Sequence, residues 1–132
     1  MQYHTKNRRK FLLLYHVIFV VKYRKKILSP AITSTLKESL SNIEAMSDFC
    51  ISEMEVDQDH LHLMIDADPT VSISQIVRRL KQQTTSSLWK NHGDYLKRHF
   101  WIEKTFWSDG YFASSIGNAS IETVRSYIQN QG

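Results

Sequence analysis

The run Asp59-His60-Leu61-His62-Leu63-Met64-Ile65 places two imidazoles two residues apart among apolar neighbours. Side chains alternate between the faces of a strand, so His60 and His62 project together while Leu61, Leu63 and Ile65 project the other way. Two neutral imidazole nitrogens can hold a divalent metal ion, leaving positions for water, a phosphate oxygen or a further oxygen ligand. The spacing fits equally a pair of half-exposed strand histidines hydrogen-bonded to neighbours or water, because short motifs of this kind also occur without metal.

Tyr127 and Gln131 form a second pair, one helical turn apart on the flank of the apolar stripe Ile121, Val124 and Ile128. A tyrosine there is usually a ring at the core edge with its hydroxyl in water. The phenol is also a nucleophile, although with a pKa of about 10 it is a poor one at neutral pH without nearby positive charge. Spacing alone does not separate these readings.

Most of the 17 Lys and Arg, set against 13 Asp and Glu, fall in three clusters: Lys6, Arg8, Arg9 and Lys10; Lys22, Arg24, Lys25 and Lys26; Arg78, Arg79 and Lys81. Such clusters suit a polyanion, since each contact with a phosphate releases condensed counterions, but they suit solvated faces as well. Aromatic residues lie near the basic ones, Tyr23 beside Arg24 and Trp101 near Lys104, which fits a single-stranded nucleic acid. Core packing is the competing role for either ring, and the more natural one for Trp101. One cysteine, Cys50, excludes an internal disulfide and suits a reducing cytoplasm. The apolar run Phe11 to Val21 is too short for a membrane span and is interrupted by Tyr15 and His16.

These residues need a scaffold, and 132 residues with 4 Gly and 2 Pro provide for one globular domain, 1–132, built on one core. Leu12 to Val21 reads as a buried strand. Ser29-Pro30 then caps a helix whose apolar positions Ile32, Leu36, Leu40 and Ile43 run to about Met46. Phe49 to Asp57 and His60 to Ala67 read as strands joined at Gln58-Asp59. Ser72 and Gln75 have capping-box spacing before the stripe Ile73, Ile76, Val77, Leu80, Thr84 and Leu88, with Arg78, Arg79, Lys81 and Gln82 opposite. The stretch Asn91 to Trp107 is assigned irregular structure with a short helical piece, Tyr111 to Ser115 a short strand after the Asp109-Gly110 turn, and Ser120 to about Asn130 a last helix. Strand, helix, strand, strand, helix, strand, helix predicts an α+β ferredoxin-like (RRM-like) fold: an antiparallel sheet with helices on one face plus a C-terminal helix.

Four blocks of the chain resemble the single-tyrosine HUH transposases (His-hydrophobic-His) of small insertion sequences in the two-hundred/six-hundred-five class. Tyr15-His16-Val17-Ile18-Phe19 with Lys22-Tyr23-Arg24-Lys25 is similar to the family's opening strand and basic turn, and Asp59-His60-Leu61-His62 to its metal motif. Trp107 through Phe112 with Ser114-Ser115-Ile116-Gly117 is similar to its late strand and turn, and Tyr127-Ile128-Gln129-Asn130-Gln131 to its nucleophile helix. Val21 stands where proline often precedes the basic block, and Asn118 where a second glycine is usual.

The resemblance implies that Tyr127 is the nucleophile and that His60, His62 and Gln131 hold Mg²⁺ or Mn²⁺ at the scissile phosphate. It further implies a 5′-phosphotyrosine intermediate on single-stranded DNA, recognition of hairpins near element ends, and a homodimer with active sites shared between chains. Tyr23, Arg24, Lys25, Lys26, Arg78, Arg79 and Lys81 are the candidate DNA contacts. Three other readings remain open: a noncatalytic nucleic-acid-binding module, a metal-dependent nuclease using water, and a domesticated relative acting on repeated extragenic palindromes.

Overall fold

The computed structural model describes residues 4–6, 9–11, 13–68, 70–115 and 126–130. Eight residues of the first apolar run form β3 (Leu13–Val20), preceded by the short antiparallel pair β1 (His4–Lys6) and β2 (Arg9–Phe11). Helix α1 (Pro30–Ala45) begins where Ser29-Pro30 sets it: the Ser29 side chain accepts from the Ile32 amide at 3.3 Å, and Pro30 occupies a first-turn position that needs no N–H. The hairpin β4 (Phe49–Val56) and β5 (His60–Ala67) follows, then α2 (Ile73–Lys97) and β6 (Phe112–Ser115). Residues 126–129 form a helical turn.

The sheet order is β4-β5-β3-β6 with every neighbouring pair antiparallel. The two strands laid down first and third in this sheet, β3 and β5, are central, and each crossover carries a helix. This is the split βαβ arrangement that the order of elements predicts. Its core is a sandwich: Val17 and Phe19 of β3 and Leu61, Leu63 and Ile65 of β5 pack with Ile32, Leu36 and Leu40 of α1 and Ile76, Val77 and Leu80 of α2. Burying each such side chain contributes about 1.5–3 kcal/mol. No described helix is long and apolar enough to cross a membrane.

One irregularity in β4 follows from its sequence. Met54 and Val56 face the core beside Leu63 and Leu61, while Glu53 and Glu55 face outward beside Met64 and His62. Strict alternation would then turn Ile51 outward. The register instead shifts between Ile51 and Glu53, which returns Ile51 to the core side opposite Ile65.

The second helix exceeds the expected one. It continues past Asn91 to Lys97, through a non-helical residue at His92 (φ −134°, ψ 31°) whose Nε2 lies 2.6 Å from Thr35 Oγ1. Buried Leu96 and Phe100 anchor this continuation. The polar run Asn91-His92-Gly93 hides it from a periodicity search, because the kink absorbs the phase error that a straight helix would carry. Ser72 marks the start but makes no side-chain cap bond; its hydroxyl pairs with Ser74 at 2.7 Å. The final helix expected from Ser120 falls partly on 116–125, outside the described residues.

Candidate active site

Helices occupy one face of the sheet; His60 and His62 lie on the other. The alternation along β5, with Leu61 and Leu63 buried and both histidines partly exposed, produces this division. Register then lays out a row across the sheet: Glu55 opposite His62, His62 opposite Ile18, and Ile18 opposite Phe112. Residues directly opposite in a ladder share a face. At the end of that row the Tyr127 ring packs against Phe112, with centroids 5.6 Å apart. The tyrosine turn thus meets the row that carries His62.

His60 is held from behind. Its Nδ1 lies 2.9 Å from Asp59 Oδ1, so an Nδ1–H donated to the carboxylate leaves the Nε2 lone pair for another partner. Asp59 is itself 3.4 Å from Arg24 Nε, and Arg24 Nη1 donates to the Gln129 carbonyl at 3.2 Å. A single guanidinium therefore spans the histidine strand and the tyrosine turn. Arg24 reaches both because Tyr23 and Arg24 adopt left-handed backbone conformations, φ 62° and 53°, in the turn Lys22–Arg24.

His62 stands edge-on to His16, with ring centroids 4.9 Å apart, and its Nδ1 is 3.9 Å from Glu55 Oε2. Burial, followed by the neighbouring His16, lowers its pKa below the usual imidazole value, which favours the neutral, ligating form. Glu53, His16 and His62 line a shallow pocket of about 200 Å³ on this face. Among the described residues no group of three His, Cys, Asp or Glu side chains forms a ready metal centre. Two imidazoles on one face, one oriented by a carboxylate, nonetheless fit a divalent ion that completes its shell elsewhere. Gln131, the expected third ligand, lies outside the described residues.

The Tyr127 hydroxyl is buried and no described residue hydrogen-bonds it. Burial alone pushes its pKa up to about 12, so at neutral pH the phenol keeps its proton. An unsatisfied buried hydroxyl costs about 1–3 kcal/mol, a penalty relieved by any incoming polar group or by movement of the turn.

The basic candidates scatter. Arg24 joins the site, and Tyr23 points outward at 62% exposure. Arg78 and Arg79 lie on α2, on the helical side of the sheet and away from the histidines. Lys81 donates to the carbonyls of Ser108, at 2.8 Å, and of Gly110. It thereby secures the turn before β6. Asp59 as an orienting group, and His16 and Glu53 beside His62, were not singled out from sequence. Asp59 adjoins the histidine pair in the chain and was visible there, whereas His16 and Glu53 are brought in by strand register.

The chain belongs to the IS200-like transposase family, whose model matches residues 9–131. It is 29% identical over 119 residues to the ISDra2 transposase TnpA of Deinococcus radiodurans, covering 90% of this chain and 84% of that protein. It is 25% identical over 117 residues to the transposase for insertion sequence element IS200 of Salmonella typhimurium, covering 89% and 75%. A crystal structure from Deinococcus radiodurans assigned as a transposase superposes with a TM-score of 0.83 at 25% identity, over 99% of this chain and 98% of that one. A REP-associated tyrosine transposase bound to a REP hairpin shares the fold, with a TM-score of 0.56 at 16% identity over 95% and 68% of the two chains.

Proposed function

We propose that this chain, as one catalytic domain, cleaves and rejoins single-stranded DNA at the ends of an insertion sequence, with Tyr127 as nucleophile. The observation that carries this reading is the tyrosine turn on the histidine face, packed on Phe112 and bonded through Arg24 to the Asp59–His60 pair. Hairpin-bearing DNA is the proposed substrate: the family supports DNA ends as targets, and a structural neighbour holds a hairpin.

In the proposed step the Tyr127 oxygen attacks the phosphorus and the bond to the leaving 3′ oxygen breaks. The phenol loses its proton and the 3′ oxygen gains one, giving a 5′-phosphotyrosine and a free 3′ hydroxyl. Because the phosphodiester is replaced by a phosphotyrosine ester, a 3′ hydroxyl of another strand can reverse the chemistry and rejoin DNA without ATP. His60 and His62, with Gln131, would hold Mg²⁺ or Mn²⁺, whose charge would stabilise the phosphate oxygens. Asp59 fixes the His60 ring, and Arg24 ties that ring to the tyrosine turn. Excision of an element with two ends needs two tyrosines, which supports a homodimer with shared sites in the cytoplasm.

The test is incubation with labelled single-stranded DNA from the flanks of the gene plus Mg²⁺ or Mn²⁺, read on a denaturing gel. A protein–DNA adduct that disappears in Tyr127→Phe, while DNA binding persists, is expected. Cleavage that survives in Tyr127→Phe would instead indicate a water nucleophile, and DNA binding without cleavage a noncatalytic module.

A further inference from the structure

The turn that sends Arg24 into the site sends Tyr23 the other way. Tyr23 lines a pocket of about 380 Å³ together with Lys25, His99, Phe100, Trp101 and Ile102. Phe100 is buried, but Tyr23, Trp101 and Ile102 are 62%, 77% and 79% exposed. Trp101, which the sequence favours as a core residue, is therefore at the surface. The walls are tied together: Lys22 Nζ bonds Glu103 at 2.9 Å, and the Lys22 amide donates to the Phe106 carbonyl at 2.8 Å.

The chemistry around this apolar opening is cationic. Lys25 and Arg98 act on His99 and, after burial, hold its pKa below the usual value. Glu103, the one carboxylate among the described residues that line the pocket, is bonded to Lys22. Flat apolar walls beside the cationic Lys25 and Arg98 match a stacked base with its phosphate. The location adds a constraint, because Arg24, the next residue along, pairs with Asp59 at His60.

We propose that this pocket holds an unpaired base of single-stranded DNA beside the cleaved phosphate, stacked on Trp101 and Tyr23, with Lys25 on the adjoining backbone. The placement beside cleavage rests on the transposase reading above; the pocket's preference for a base can be tested without it.

Trp89 and Trp107 are buried, so quenching of intrinsic fluorescence by DNA reports on Trp101. The full chain carrying Tyr127→Phe is titrated at low salt with a decamer of thymidine and with a decamer of abasic residues bearing the same phosphates. Quenching by the thymidine decamer alone is expected; affinity, read for every variant by the anisotropy of end-labelled decamers, should fall about 5- to 100-fold in Trp101→Leu and recover in Trp101→Phe. Equal affinity for both decamers, or unchanged affinity in Trp101→Leu, overturns the proposal. So does fluorescence that changes with protein concentration alone and loses that dependence in Trp101→Leu, which makes a second copy the occupant. Failure of the Tyr127 adduct assay with thymidine quenching intact removes the transposase reading and leaves the base pocket standing.

Discussion

Arg24 lies 3.4 Å from the Asp59 carboxylate through Nε. The same guanidinium donates through Nη1 to the Gln129 carbonyl, at the end of the helical turn that carries Tyr127. Its planar fork thus serves two acceptors on separate elements, which a single ammonium on a flexible stem does not reproduce. The pair connects the orientation of a histidine to the position of a tyrosine.

Arg24→Ala should slow formation of the Tyr127–DNA adduct by about 10- to 100-fold, the usual cost of losing a group that orients a ligating histidine. Arg24→Lys should restore little of it. Single-turnover adduct assays at saturating DNA separate this from weakened binding; wild-type rates in Arg24→Lys would show that the double contact is irrelevant.

Tyr127 should titrate near pH 12, because burial raises the phenol from its ordinary value of about 10 to about 12. The ionised form is penalised in the folded state only. The folded state consequently keeps the full benefit below about pH 10 and loses it progressively as pH rises toward 12. Difference absorbance of phenolate between the wild type and Tyr127→Phe should show this late transition, and Tyr127→Phe should lose less stability across that interval. A difference spectrum centred near 10 would remove the buried phenol.

Lys81 and Lys25 should behave differently toward DNA. Lys81 is occupied by the Ser108 and Gly110 carbonyls, and burial lowers its pKa. Lys81→Met should leave the salt dependence of DNA affinity unchanged while weakening the fold, and Lys25→Met should reduce that slope by about one. Fluorescence anisotropy across a salt series checks both; a reduced slope in Lys81→Met would place its ammonium on phosphate.

Thr84→Val should destabilise the protein by about 1–3 kcal/mol despite similar volume. Thr84 Oγ1 accepts from Trp107 Nε1 at 3.0 Å and donates to the Leu80 carbonyl at 2.6 Å, all in the interior. Valine leaves the indole N–H buried without a partner. Urea unfolding followed by circular dichroism measures the loss, and an unchanged midpoint would mean the indole finds another acceptor.

Local chemistry made much of this protein legible in its sequence. Ser29-Pro30 starts α1 because capping is a property of adjacent residues, and the alternation from His60 to Ile65 divides β5 into a core face and an open face wherever that strand lies. The antiparallel α+β architecture followed from the order of such elements. Contacts distant in sequence were decided only by tertiary structure. Strand register put His16 and the β4 glutamates beside His62, and a kink at His92 carried α2 into a stretch with no readable period. Left-handed backbone at two ordinary residues turned Arg24 toward Asp59 and Tyr23 toward Trp101. Neither residue type announces that conformation; the surrounding packing must hold it, so the assignment of one cation to the site and one ring to the surface belongs to the folded chain.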